Sequence, residues 1–119
     1  MAIFGSQPDI SVNEVAIKLE SEEDFILLDV REYIEQNYAR ISDSRVLSLP
    51  LSQLANEGLT TLLENLHKKD QQIIVFCHHG IRSAQVVSWL KNMGWQNVFN
   101  MRGGIDAYAS SIDPQVGSY

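Results

Sequence analysis

Cys77, His78, His79, Gly80, Ile81, Arg82 and Ser83 form a run whose residue types and spacing could build a covalent catalyst. Cys77 is the only cysteine in the chain. A thiol attacks as its thiolate, and the residues that follow favour that form. Successive N–H groups of a tight loop can converge on one anion, and a helix start adds unpaired N–H groups and a positive dipole end. Arg82 adds a permanent positive charge, and Gly80 permits backbone angles that a side chain would forbid. A helix end supplies about 0.3–1 kcal/mol. A hundredfold gain in thiol ionisation needs roughly 2.7 kcal/mol. The loop amides and Arg82 must provide the remainder, which a buried loop could do and an open one could not.

The flanking residues are those that would hold such a loop. Ile73 to Phe76 are four apolar residues, β-branched and aromatic, and read as a strand buried on both faces. Beyond the loop the period becomes helical, with Val86, Val87, Leu90 and Met93 on one stripe. Ser83 is the expected N-cap, Lys91 falls in the last turn, and Gly94 suits a left-handed exit. Cys77 then lies at the C-terminal end of a central strand, where open α/β sheets bind their ligands.

Elsewhere, Ser11 and Glu14 make a capping box ahead of Val12, Val15, Ala16 and Leu19, which predicts a helix to about Ser21. Phe25 to Val30 reads as a central strand, Glu32 to Tyr38 as a short helix, and Arg45 to Leu49 as a short strand closed by Pro50. Residues 51–58 read as a loop or helical turn, and Leu59, Leu62, Leu63 and Leu66 predict a second amphipathic helix. A strand near Asn97 to Met101 precedes Gly103-Gly104, a tight turn that matches no phosphate-binding fingerprint, and a helix to about Ser110. Alternation at βαβ spacing predicts an α/β domain, its parallel sheet covered by helices on both faces. Residues 1–9 read as a loose lead-in, 10–111 as the domain, and 112–119 as a polar, turn-prone tail.

Composition narrows the function classes. Nine basic against fifteen acidic residues give a net charge of −6, and no basic tract offsets it, so no nucleic-acid partner is expected. A single cysteine excludes an internal disulfide and any Cys-x-x-Cys pair. The apolar runs are far too short for a membrane span, and MAIFGSQPDIS has no basic n-region. The expectation is a cytoplasmic protein with no membrane partner.

The run CHHGIRS after an apolar strand resembles the active-site loop of the rhodanese family of sulfurtransferases, Cys-x-x-Gly-x-Arg-Ser. Leu27-Leu28-Asp29-Val30-Arg31-Glu32, Leu49-Pro50-Leu51-Ser52-Gln53-Leu54 and NMRGGIDA from Asn100 to Ala107 resemble further family segments, in the family's order. The resemblance implies a rhodanese-like fold of about five parallel strands, no cofactor, and a thiosulfate-type sulfurtransferase activity. Cys77 would accept a sulfane sulfur from a small anionic donor such as thiosulfate, or from a persulfide. It would hold that sulfur as a persulfide and pass it to a protein or thiol acceptor, a double displacement. Substrate binding would fall to His78, His79, Gly80, Ile81, Arg82 and Ser83. Phosphatases and arsenate reductases of the same fold place five residues between cysteine and arginine; here there are four, which favours one sulfur atom over a phosphate. A rhodanese-like docking or regulatory module without turnover is the alternative. The loop has a single arginine where some thiosulfate users carry a second basic residue, which turns the expectation toward a persulfide donor. Ile112-Asp113-Pro114 and Tyr119 resemble the end of rhodanese domains fused to sulfur-carrier-activating enzymes.

Several residues carry two readings. His78 and His79 invite a metal, but three consecutive residues cannot easily aim at one ion, and no distant cluster completes the set, so none is expected. Their side chains would instead face the mouth and attract an anionic donor. The Ser83 hydroxyl can also bond the Cys77 sulfur. Asp29 and Arg31 lie at the ligand edge of the sheet, yet read first as a buried structural ion pair. The Arg82 side chain either points into the loop or braces it from outside.

Overall fold

A computed structural model describes residues 8–58, 60–61, 66 and 68–119. β4 (Ile73–Phe76) lies at the centre, between β2 (Ile26–Asp29) and β5 (Val98–Met101). β3 (Val46–Ser48) pairs outside β2, and β1 (Asp9–Ile10) outside β5, so the order is β1-β5-β4-β2-β3. All four pairings are parallel, which makes the five-stranded sheet the one expected.

β4 is fully buried on both sides, and its residues alternate between two cores. Ile73 and Val75 pack with Val86, Val87 and Leu90 of α3 (Ile81–Asn92) and with Leu54 of α2 (Leu51–Glu57). Ile74 and Phe76 pack with Val12 and Val15 of α1 (Val12–Glu20) and with Ile105 and Tyr108 of α4 (Gly104–Ser111). Each such side chain contributes about 1.5–3 kcal/mol by burial. The end of β4 is thus clamped from both faces.

The capping box of Ser11 and Glu14 is present, Trp95 is buried, and Gly94 leaves α3 at φ 104°. Three expectations shift. The lead-in ends earlier than position 9, because Asp9 pairs with Asn100 as the start of β1. The short helix after β2 is a 3-10 turn, Tyr33–Asn37, and residues 51–57 form a complete helix. The helix expected from Leu59, Leu62, Leu63 and Leu66 falls largely outside the described residues, although Leu66 itself is buried. The stretch after Ile112 also folds back: Pro114–Val116 is a 3-10 turn, and Gly117 bridges to Ala39.

Candidate active site

Cys77 follows directly on β4 and is 1% exposed. Gly80 N donates to its Sγ at 3.1 Å and Ser83 N at 3.3 Å. Ser83 is not the N-cap of α3: Gly80, at φ 100° and ψ 0°, turns the chain into the helix earlier. Ser83 therefore sits in the first turn, where its amide has no helical acceptor, and the sulfur takes that place. The sulfur caps the helix. The other expectation for Ser83 is met, since its Oγ lies 3.3 Å from Sγ.

Behind Ser83 stands Asn100, a buried residue of β5. Ser83 Oγ donates to Asn100 Oδ1 at 2.5 Å, and Asn100 Nδ2 donates to Gly80 O at 3.2 Å. One side chain therefore fixes both the glycine and the serine of the loop. With its proton given to Asn100, Ser83 Oγ accepts from a Cys77 thiol; toward a thiolate the hydroxyl can turn and donate.

The start of α4 holds the opposite edge of the loop. Ile105 N donates to Cys77 O at 2.9 Å and Asp106 N to His78 O at 3.0 Å. This close approach requires glycine at 104, whose φ is +66° and where a Cβ would overlap the carbonyls of His78 and Cys77. The pair Gly103-Gly104 is more than a tight turn: it lets one helix start bind the carbonyls of the Cys77 loop.

The charged groups lie on the outside. Arg82 braces the loop: Nη1 donates to Glu35 Oε2 at 2.7 Å and Nη2 to Glu35 Oε1 at 2.9 Å. Its charge reaches Cys77 through space alone, already paired. The bond from Arg82, joined by one from Tyr119, pulls the Glu35 carboxyl from 4.5 to about 2. Tyr119 Oη donates to Glu35 Oε1 at 2.8 Å and accepts from Arg31 Nη1 at 3.1 Å. Arg31 is buried beneath it, bonded to Asp29 Oδ1 at 3.0 Å and Oδ2 at 2.9 Å. Burial opposes the Arg31 charge, and the bonds to Asp29 and Tyr119 more than offset it. Asp29 and Arg31 are the expected buried pair, joined to the mouth of the site through Tyr119.

The Tyr119 ring lies flat on His78, centroids 3.8 Å apart and planes at 6°. His78 is therefore covered, with Nε2 buried and unpartnered, while His79 is exposed with Nδ1 3.7 Å from Asp106 Oδ2. Asp106 supplies the distant group that the sequence does not reveal, since ligand atoms of His78, His79 and Asp106 lie within 4.8 Å of one another. Ile81 stands exposed at the rim. A cavity of about 630 Å³ bordered by Leu19, Arg40, Tyr108 and Asp113 lies apart from these residues. A single sulfur atom needs no such volume, and the Cys77 loop is the candidate site that the sequence motif and the converging amides single out.

Sequence reasoning missed the roles of Asn100, Gly104, Glu35 and Tyr119. Asn100 left a signal, a polar residue within the apolar run Val98–Met101. Glu35 left none, and Tyr119 only a resemblance that does not reveal its partners, because the contacts span separations of 47 and 84 residues.

The sequence matches the family model of the rhodanese-like domain over residues 11–111. It is 33% identical over 116 residues to rhodanese-like/PpiC domain-containing protein 12, chloroplastic, of Arabidopsis thaliana, covering 93% of this chain and 37% of that protein. It is 31% identical over 101 residues to a sulfurtransferase of Allochromatium vinosum, covering 85% of this chain and 87% of that protein. A rhodanese-related protein of Thermoplasma volcanium superposes with a TM-score of 0.70 at 26% identity, over 88% of this chain and 93% of that one. The chain spans 26% to 37% of the length of the longer relatives. No helix among the described residues is long and apolar enough to cross a membrane.

Proposed function

The chain belongs to the rhodanese-like domain family, and on that premise we propose that it is a sulfurtransferase carrying sulfane sulfur as a persulfide on Cys77. The observation that carries this reading is the convergence of Gly80 N and Ser83 N on Sγ at the end of β4. With thiosulfate, the Cys77 thiolate attacks the outer sulfur, the S–S bond breaks, and sulfite leaves with the electron pair. The persulfide anion then remains in the loop. An acceptor thiolate, or cyanide in an assay, attacks the outer sulfur and returns the pair to Cys77.

In this reading Cys77 is the nucleophile, and Gly80 and Ser83 donate to the sulfur. Arg82 holds the loop, and His78, His79 and Ile81 form the mouth. Asp29 and Arg31 support the outer side from beneath. The donor is thiosulfate or a persulfide, and the acceptor a thiol or a protein. A lone cysteine fits a reducing compartment such as the cytoplasm, although the Arabidopsis relative is named chloroplastic.

The test is cyanolysis, with thiocyanate measured for wild type and Cys77→Ala, and mass spectrometry of Cys77 after exposure to the donor. Thiocyanate and one added sulfur in the wild type alone support the reading. A docking module without turnover is the second reading, favoured by the near-complete burial of Cys77. It prevails if both proteins give background rates and no sulfur is added. Hydrolysis of an aryl phosphate would indicate a phosphatase instead.

A further inference from the structure

Three basic side chains described around Cys77 each face a carboxylate, while His78 lies stacked on Tyr119 with its Nε2 unpartnered. Arg31 is paired with Asp29, Arg82 with Glu35, and the exposed His79 lies against Asp106. The pairing of Arg82 is the consequential one, because its guanidinium stands at the junction of loop and helix and interacts electrostatically with Cys77. Both of its terminal nitrogens are taken by Glu35, and Tyr119 holds that carboxylate from the other side. The whole chain is acidic, at −6. A dianion approaching Cys77 therefore meets balanced charges in a negative background.

Resting on the sulfurtransferase reading, we infer that Glu35 is a specificity-determining residue: by cancelling Arg82 it turns the site from dianionic donors toward persulfides, whose reacting group brings less negative charge. The chemistry differs at the reacting atoms. Thiosulfate brings two negative charges to a thiolate that already carries one. A persulfide reacts as RS–SH: Cys77 thiolate attacks the outer sulfur, the S–S bond breaks, and RS⁻ leaves with the electron pair, giving Cys77–S–SH. The –SSH group that reacts brings no charge of its own to the thiolate, and no free cation is needed to draw the donor in. Here the arginine beside Cys77 is held as a brace by Glu35.

The experiment uses thiosulfate and cysteine persulfide as donors, with kcat/KM measured for each and Cys77 checked by mass spectrometry. Glu35→Gln keeps the shape of the side chain and removes its charge. The ratio of thiosulfate use to persulfide use should rise about tenfold, since uncovering a charge at the mouth changes capture of charged ligands on that scale. A loss of structural support would lower both donors together and leave the ratio in place. A ratio that moves less than about threefold, or toward persulfide, overturns the inference while the sulfurtransferase reading stands.

Ionic strength gives a second readout that needs no variant. Wild-type kcat/KM for thiosulfate should stay flat or rise with salt, and in Glu35→Gln it should fall. A steep fall in the wild type means that Arg82 already attracts the dianion, and overturns the inference even if Glu35→Gln fails to fold. If neither donor adds sulfur to Cys77, the sulfurtransferase reading fails and this inference with it.

Discussion

On its inner side Cys77 is held by Gly80 N and Ser83 N, three and six residues along the chain, with Asn100 fixing both residues from the neighbouring strand. On its outer side Arg82 is held by Glu35, 47 residues away, and Glu35 in turn by Tyr119, 84 residues away. The inner wall is made of neutral dipoles in a dry place, where a bond to an anion is worth about 1.5–3 kcal/mol. The outer wall is made of charges that water reaches, where a pair is worth about 0–1 kcal/mol and salt weakens it. Dipoles fixed by the backbone suit a charge that must always be held. Screened pairs suit a choice among ligands, because one substitution resets them. On the proposed function, the inner wall would serve the chemistry and the outer wall the selection of a donor.

That division is broken most directly at Gly104. In Gly104→Ala the new Cβ meets two loop carbonyls while φ stays at +66°, so α4 must withdraw from Cys77 and His78. The expected loss is above about 3 kcal/mol of unfolding free energy. Urea denaturation at equilibrium measures it, and a loss under about 1 kcal/mol would mean that the loop does not depend on the start of α4.

Asn100→Ala probes the same wall from behind. The Ser83 hydroxyl and the Gly80 carbonyl both lose a buried partner, at an expected cost of about 1–3 kcal/mol. Cyanolysis should fall by about tenfold, because Gly80 and Ser83 are no longer held where their amides meet the sulfur. Full activity in a destabilised variant would reduce Asn100 to a strand-packing residue.

The two walls differ as sharply in how well the sequence announces them. Cys77, its loop, the strand before it and the helix after it are consecutive, so residue types and periodicity reveal them. The five parallel strands follow for the same reason, from apolar runs alternating with helical stripes. The N-cap shifted to Gly80 because the loop's need for a left-handed turn outweighed the usual preference for serine. Glu35 reads as one acid among fifteen, and Tyr119 as the end of a polar tail. Nothing local marks either one, because their partners are set only when β2, the 3-10 turn and the returning chain after α4 come together. The charge balance at the mouth is a tertiary property, and composition reports its sum without its arrangement.

Acid titration of stability sharpens the outer wall. Glu35 has a carboxyl near 4.5 in the unfolded chain and about 2 in the folded one. Its contribution is present above about pH 4.5 and is lost as the pH falls toward 2, where the folded carboxyl also takes up a proton. Solvent at Arg82 weakens the pair, so the contribution is about 1 kcal/mol rather than the full value of the shift. In Glu35→Gln the stability curve should be flatter between pH 4.5 and 2 and lower than wild type at pH 7. Unchanged slopes would show that the brace does not survive in solution.

Tyr119→Phe should have the smallest effect. The ring still stacks on His78 and lies near Tyr38 and Arg31, so the apolar and aromatic contacts survive. What goes is the hydroxyl that donates to Glu35 and accepts from Arg31, while Arg31 keeps both bonds to Asp29. One partly exposed hydrogen-bond group of this kind is worth about 0.5–1 kcal/mol, a fall in Tm of about 2–6 °C for a domain of this size. Combining it with Glu35→Gln should give less than the sum of the two losses, because both remove the same contact. Strict additivity, measured by thermal unfolding of the four proteins, would mean that Tyr119 and Glu35 act separately, and that the outer wall is a set of independent surface contacts rather than one clamp on Arg82.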